Sequence, residues 1–186
     1  MKVLVLSDSH GRADTLRRAI EAEKPHAMLY LGDGLSDAER MREEYPLLPI
    51  TTVPGNCDWG SLEETERLIE LDGVRILMLH GHTRGVKYHS MNAYYAAKEM
   101  GADVLLYGHT HCPGSWYTSF RHNPPAGSGY VRTISICCLM LSIRIRLQSI
   151  GSLIWSFFTF SLSSVSMVSV VLTPISPIIR ISSNSS

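Results

Sequence analysis

Residues 104–186 of this 186-residue chain contain no Asp or Glu; all 17 acids lie at or before Asp103. That gap divides the chain by charge. Residues 1–111 set 12 Lys and Arg against the 17 acids, a net of −5, whereas residues 112–186 carry five arginines and nothing else. Neither part has the clustered basic face that a phosphate backbone demands, so there is no nucleic-acid footprint. Cysteine is also scarce. The four at 57, 112, 137 and 138 form no C-x-x-C pair, which argues against both a disulfide framework and a thiolate zinc knot and points to a reducing, cytoplasmic setting. Long apolar runs are missing from the beginning of the chain: Val3 to Leu6 is too short for the core of a signal peptide, and nothing there directs export. The length suits one hydrophobic core rather than two.

What is present alternates between two periods. "KVLVLSD" is a short β-branched apolar run suited to a strand buried on both faces. "RADTLRRAIEAEK" follows at helical spacing through Leu16, Ala19, Ile20 and Glu23, and Pro25 ends it. "AMLYLGD" is a second strand. Ser36 and Glu39 predict a capping box for the helix "DAERMREEY", and a third strand begins after Pro49. "ERLIEL" and "VRILML" flank Asp72 and Gly73, two residues that accept the positive φ angles of a type I′ hairpin. A helix from Ser90 to Met100 closes at Gly101, and "DVLLYG" is the next strand. The pattern is α/β with a mixed sheet.

Five of these strands run into polar clusters at their C-terminal ends: "SDSH", "GD", "GNCD", "HGH" and "GHTH". In open α/β sheets that edge is where ligands bind, so the clusters are expected to converge. The candidate metal ligands are Asp8, His10, Asp33, Asn56, His80, His109 and His111. Oxygen and imidazole donors without thiolate suit Mn2+, Ni2+, Fe2+, Zn2+ or Co2+. Seven donors are too many for one tetrahedral ion and suit two ions that share a carboxylate. A single Asp-x-His or His-x-His is more often a cap, a turn or a surface pair. Five such clusters at successive strand ends are not explained by packing, and burying them without metal would be costly. Glycines at 11, 32, 55, 81 and 108 allow tight turns beside them.

The order D-x-H, GD, GN-x-D, HGH, GHTH resembles the calcineurin-like metallophosphoesterases, and the "GNCD" motif with the short length is similar to the small microbial phosphodiesterases of the YfcE type. The resemblance covers residues 1 to about 112. It implies an αββα fold, a two-sheet sandwich flanked by helices, with two divalent metal ions at the strand ends. It implies one ion on Asp8, His10, Asp33 and His111, and a second on Asp33, Asn56, His80 and His109, with Asp33 bridging. Such ions, about 3.5 to 4 Å apart, neutralise phosphate oxygens and supply a bridging hydroxide for in-line attack. The implied activity is phosphodiester hydrolysis, with Mn2+ first among the metals, on a small phosphoester substrate.

Asp33, Asn56, Cys57 and His82 are the candidate catalytic residues. Many members of the family have a histidine, which protonates the leaving oxygen, where this chain has Cys57. A thiol is a weak hydrogen-bond donor, so diesters or esters with good leaving groups suit this site better than alkyl monoesters. Simple packing accounts for Cys57 equally well. Asp58 reads as a turn residue or a support for the ligands, and His82 as a structural residue or a substrate contact. His26, His89 and His122 carry no spacing signal.

On this reading residues 1–128 form the metallophosphoesterase domain and 129–186 an aberrant tail rich in Ser, Ile and Leu, in which the family's Asn-Pro-Gly-Ser turn is garbled as Asn123 to Ser128. At roughly one acid in eight, 75 acid-free residues arise by chance in far fewer than about one chain in a thousand. A reading-frame slip after about residue 112 explains the tail. A membrane-associating segment is the alternative, since Leu147 to Ile179 is uncharged, but eight serines between Leu147 and Leu172 weaken it. Two other functional outcomes stand beside the enzyme: a non-catalytic scaffold, as in the retromer subunit of this fold, or an inactive frame-shifted product. The sequence does not set the oligomeric state.

Overall fold

The computed structural model describes residues 1–111 in full and the backbone of strands at 132–135, 141–150, 153–162 and 167–170. In chain order the elements are β1 (Lys2–Leu6), α1 (Ala13–Glu23), β2 (Ala27–Tyr30), α2 (Leu35–Glu44), β3 (Ile50–Thr52), β4 (Glu66–Leu71), β5 (Val74–Leu79), a short 3-10 helix (His82–Arg84), α3 (Met91–Glu99) and β6 (Val104–Tyr107), followed by β7 (Arg132–Ser135), β8 (Leu141–Ile150), β9 (Leu153–Leu162) and β10 (Met167–Val170). They build two sheets, β10-β9-β8-β1-β2-β3 and β4-β5-β6-β7. β1, β2 and β3 run parallel, as do β5, β6 and β7.

The two-residue period of the strands sorts the side chains into layers. Val3, Val5, Leu29 and Leu31 from one sheet meet Val74, Ile76, Met78, Val104 and Leu106 from the other, forming the core between the sheets. The alternate residues Leu4, Leu6, Met28 and Tyr30 face outward onto Leu16, Ala19 and Ile20 of α1 and Ala38 and Met41 of α2. On the second sheet Leu77, Leu79, Leu105 and Tyr107 pack on Ala93, Ala96 and Ala97 of α3. Each large side chain buried this way contributes about 1.5–3 kcal/mol. The mixed α/β reading becomes a two-sheet sandwich with helices on its outer faces.

Most of the expected boundaries hold. Asp72 and Gly73 close the β4–β5 hairpin with φ of 48° and 74°, and Gly101 follows α3 with φ 68°. The capping box does not form. α2 begins at Leu35 with Gly34 as its cap residue and no cap from its own side chains; its first N–H groups are taken by Asp58, from a loop 23 residues away. That contact outcompetes the local Ser36–Glu39 pair because one carboxylate accepts from several donors at once.

The later strands extend both sheets in the backbone. β8 pairs antiparallel with β1, matching Lys2 to Arg144 and Val5 to Leu141, and β7 pairs with β6. Within the uncharged stretch 147–179 the described residues are strands, and no helix among the described residues is long and apolar enough to cross a membrane. The segment Asn123 to Ser128 lies outside the described residues.

Candidate metal centre

The parallel strands of both sheets end on the same side, and their following turns are stitched together. Asp8 N–H donates to Gly32 O (2.9 Å), His10 N–H to Asp33 O (3.0 Å) and Gly108 N–H to His80 O (3.1 Å). Close approach makes glycine necessary at two points: a Cβ on Gly55 would overlap the Asp33 carboxylate, and one on Gly108 would overlap Ser7 Oγ. The result is two donor clusters with one shared member. Asp8, His10, Asp33 and His111 can each place a ligand atom within 4.8 Å of the others, and so can Asp33, His80 and His109. Asn56 joins the second cluster, its Oδ1 3.2 Å from His80 Nε2.

Chemistry within the second cluster is set by His80, which is fully buried. Its Nδ1 lies 2.7 Å from Leu31 O. A carbonyl can only accept, so Nδ1 donates there, and in the neutral ring Nε2 then presents a lone pair to the site. That lone pair faces Asn56 Oδ1 and, at 3.4 Å, Asp33 Oδ2. Asn56 is oriented by its Nδ2, which donates to Cys57 Sγ (3.3 Å). In that neutral form no proton lies between Nε2 and either oxygen, an arrangement that a bound cation would relieve. His109, whose Nδ1 is 3.0 Å from His80 Nε2, is kept neutral: burial first, then His80 and Lys87, push its pKa down to about 4.

The first cluster has more charge and more solvent. Asp8 and Asp33 are buried, while His10 and His111 are exposed, with rings stacked 5.5 Å apart. His111 Nε2 lies 3.3 Å from Asp8 Oδ1, yet that buried oxygen accepts no hydrogen bond. Two buried carboxylates whose ion-pair partners are imidazoles, one with an orphaned oxygen, are costly alone and fit a divalent cation.

Backbone strain concentrates on the same residues. Seven non-glycine residues have positive φ among the described residues, and five of them are candidate ligands: Asp8 (58°), His10 (48°), Asp33 (60°), His109 (67°) and His111 (51°). Each such conformation costs on the order of 1–3 kcal/mol and persists only where its surroundings over-determine it. No feature of residue type announces it.

Cys57 and His82 stand beside the clusters rather than in them. The Cys57 backbone N–H donates to Asp33 Oδ1 (2.7 Å) and its side chain is exposed; burial of the thiol and then the Asp33 charge raise its pKa, so it stays protonated. The His82 ring is 5.4 Å from that of His80 and 6.2 Å from that of His109. Its buried Nδ1 has no hydrogen-bond partner, and burial lowers its pKa. Asp58, read from sequence as a turn or supporting residue, proves central. Its Oδ2 accepts from Asp33 N and Gly55 N (both 2.8 Å), and its Oδ1 from Gly34 N and Leu35 N (both 2.9 Å). Burial opposes its ionisation, and these four donors outweigh burial and hold its pKa below the ordinary value. Asp37, Ser9 and Tyr30 were invisible as site residues: Asp37 is buried and accepts from Ser9 Oγ and Gly11 N, and nothing in its spacing signals this.

Comparison with known proteins adds the family. Residues 1–127 match the calcineurin-like phosphoesterase superfamily domain. A probable metallophosphoesterase of Bacillus subtilis, YsnB, is 38% identical over 116 residues, covering 62% of this chain and 67% of that one. The phosphodiesterase MJ0936 of Methanocaldococcus jannaschii is 27% identical over 128 residues, 60% of this chain and 74% of its own. Among solved structures, a Streptococcus pneumoniae protein described as a predicted phosphoesterase aligns with TM-score 0.63 at 23% identity, covering 86% of each chain. Vps29 of Entamoeba histolytica, solved with Zn2+, aligns with TM-score 0.59 at 16% identity, over 91% of this chain and 99% of that one. Both structural likenesses concern the fold.

Proposed function

The chain belongs to the calcineurin-like phosphoesterase superfamily, a family that uses divalent metals, and from that premise we propose that it is a phosphodiesterase holding two divalent cations, Mn2+ first among them. The observation that carries this reading is the pair of donor clusters sharing Asp33, with His80 Nε2 turned toward the side-chain oxygens of Asn56 and Asp33. Bound there, the cations would supply positive charge for phosphate oxygens and activate water at neutral pH.

The residues divide the remaining work. Asp8, His10, Asp33 and His111 would hold one cation, and Asp33, Asn56, His80 and His109 the other. Leu31 O sets the His80 tautomer, the orienting partner that metal-binding histidines generally need. The Cys57 N–H fixes one Asp33 oxygen, Oδ1. Its protonated thiol is a poor aid to a departing alkoxide, which directs the reading toward diesters and aryl esters whose leaving groups need little help. His82, its ring 5.4 Å from that of His80 and 6.2 Å from that of His109, would be a contact for substrate rather than a ligand.

The test is hydrolysis of an aryl phosphodiester by the metal-stripped full chain. Turnover should be absent after chelation and return with Mn2+ or Ni2+. Activity indifferent to chelator sinks the two-metal reading, and absence of turnover with every metal favours a scaffold of the same fold.

A further inference from the structure

Two carboxylates outside both donor clusters converge on the N-terminal turn of α2, and each ties a different ligand loop to Asp33. Asp37, in that first turn, is buried and reaches the loop after β1: Ser9 Oγ donates to its Oδ2, as does Gly11 N–H (2.9 Å). These contacts bracket His10. Tyr30 completes the link. It accepts from Ser9 N–H (3.1 Å), lies 2.6 Å from Ser9 Oγ and donates to Asp33 O (3.2 Å). Burial raises its pKa, so it remains a neutral donor. Asp58 reaches the same turn from the loop after β3 and spans Gly55 N–H, next to Asn56, and the N–H groups of Asp33, Gly34 and Leu35.

The two links serve different halves of the site. Asp37 sets His10, which belongs to the exposed cluster, against Asp33. Asp58 sets Asn56, itself exposed but beside buried His80 in the second cluster, against the same Asp33. Asp33 and His10 both hold positive φ, a conformation that relaxes unless external contacts oppose it. We propose that Asp37 and Asp58 are positioning residues that tune the two metal half-sites separately, Asp37 the exposed one through His10 and Asp58 the buried one through Asn56. The proposal rests on the two-metal reading above. The two positions differ in chemistry: an amide at Asp58 would keep one acceptor oxygen and turn an NH2 donor toward two backbone N–H groups, whereas at Asp37 it would replace a charged acceptor of two donors, both on Oδ2, by a weaker neutral one.

Titration of the metal-stripped full chain with Mn2+, followed by calorimetry and by electron paramagnetic resonance, tests it without reference to turnover. Wild type should take up two ions and develop the signal of a coupled pair; uptake of fewer than two overturns the two-metal reading and this proposal with it. Given two ions in wild type, Asp58→Asn should weaken one of them by about 10–100-fold, the range seen for residues that orient ligands, and abolish the coupled signal at low metal while leaving the other ion within about threefold. Asp37→Asn should weaken the opposite ion. To identify which, each variant is combined with His111→Ala, which removes the exposed half: the Asp58→Asn defect should persist in that background and the Asp37→Asn defect should vanish. Should either amide variant unfold, Ser9→Ala and Asp58→Glu replace them. Ser9→Ala weakens the first link alone, removing the Oγ contacts to Asp37 and Tyr30 while Gly11 N–H stays on Asp37, and Asp58→Glu keeps the charge but displaces the carboxylate, so it should not restore affinity. Loss of both ions in parallel with a lowered unfolding midpoint, rescue by Asp58→Glu, or no change in either affinity overturns the proposal while leaving the two-metal reading intact.

Discussion

The two halves of the site solve the same problem by different means. The exposed half, Asp8, His10, Asp33 and His111, relies on charge: two buried carboxylates face two solvent-touching imidazoles. The other half, in which His80 is buried, His109 half-buried and Asn56 exposed, adds no carboxylate beyond the shared Asp33 and relies on geometry, with His80 locked by Leu31 O and His109 held neutral by burial and its neighbours. Preorganised neutral donors give up little freedom on binding, whereas exposed imidazoles must be ordered by the ion itself. The exposed half should therefore exchange its metal more readily.

The largest effect expected is at the residue both halves use. Asp33→Asn removes charge from each cluster and should lower turnover of an aryl phosphodiester by more than about 100-fold, beyond what loss of an orienting partner costs, while Cys57→Ala, which keeps the backbone contact to Asp33 and gives up only the Sγ contact to Asn56, should cost about 10-fold at most. Equal losses in steady-state kinetics would break the idea that Asp33 joins the halves. Next comes Cys57→His, which restores a proton donor on the loop of the buried half; activity on poor leaving groups should rise by up to about 100-fold with little change for aryl leaving groups. A uniform change would count against an absent acid.

Stability separates the halves on a smaller scale. In metal-free protein His80→Ala strands Leu31 O and empties a fully buried position, costing about 1–3 kcal/mol for the unsatisfied carbonyl alone, whereas His111→Ala empties no buried space and gives up the 3.3 Å ion pair with Asp8, a smaller loss. Denaturant titration of the two variants reads this directly, and comparable losses would erase the contrast. The smallest effect is on pH dependence. His109 has its pKa lowered to about 4 in the folded chain against an ordinary value near 6.5, so between those values the unfolded chain binds more protons and stability falls as pH drops through that window. His109→Gln should flatten this part of the metal-free stability profile. An unchanged slope would mean that the ring is not held neutral.

The identities of the seven candidate ligands and the strands that carry them were legible because each follows an apolar run and because residue type announces donor chemistry. Asp58 and His82 were noticed without a definite role, since a carboxylate or imidazole near a turn has many ordinary uses. The Ser36–Glu39 capping box was expected from local spacing and failed, because Asp58 offers α2 a carboxylate from a distant loop.

The sequence by itself determined the donor set, the alternation of strands and helices, the Asp72–Gly73 hairpin and the substitution of a thiol at position 57, all properties of residue type and short-range order. Tertiary structure alone decided which donors share an ion-sized space, that His80 Nδ1 is tied to Leu31 O, and that Asp37 and Asp58 hydrogen-bond the loops carrying the positive-φ residues His10 and Asp33. Those outcomes depend on hydrogen bonds between segments about 25 to 50 residues apart and on backbone angles that Asp and His do not prefer, and neither leaves a mark in the local sequence.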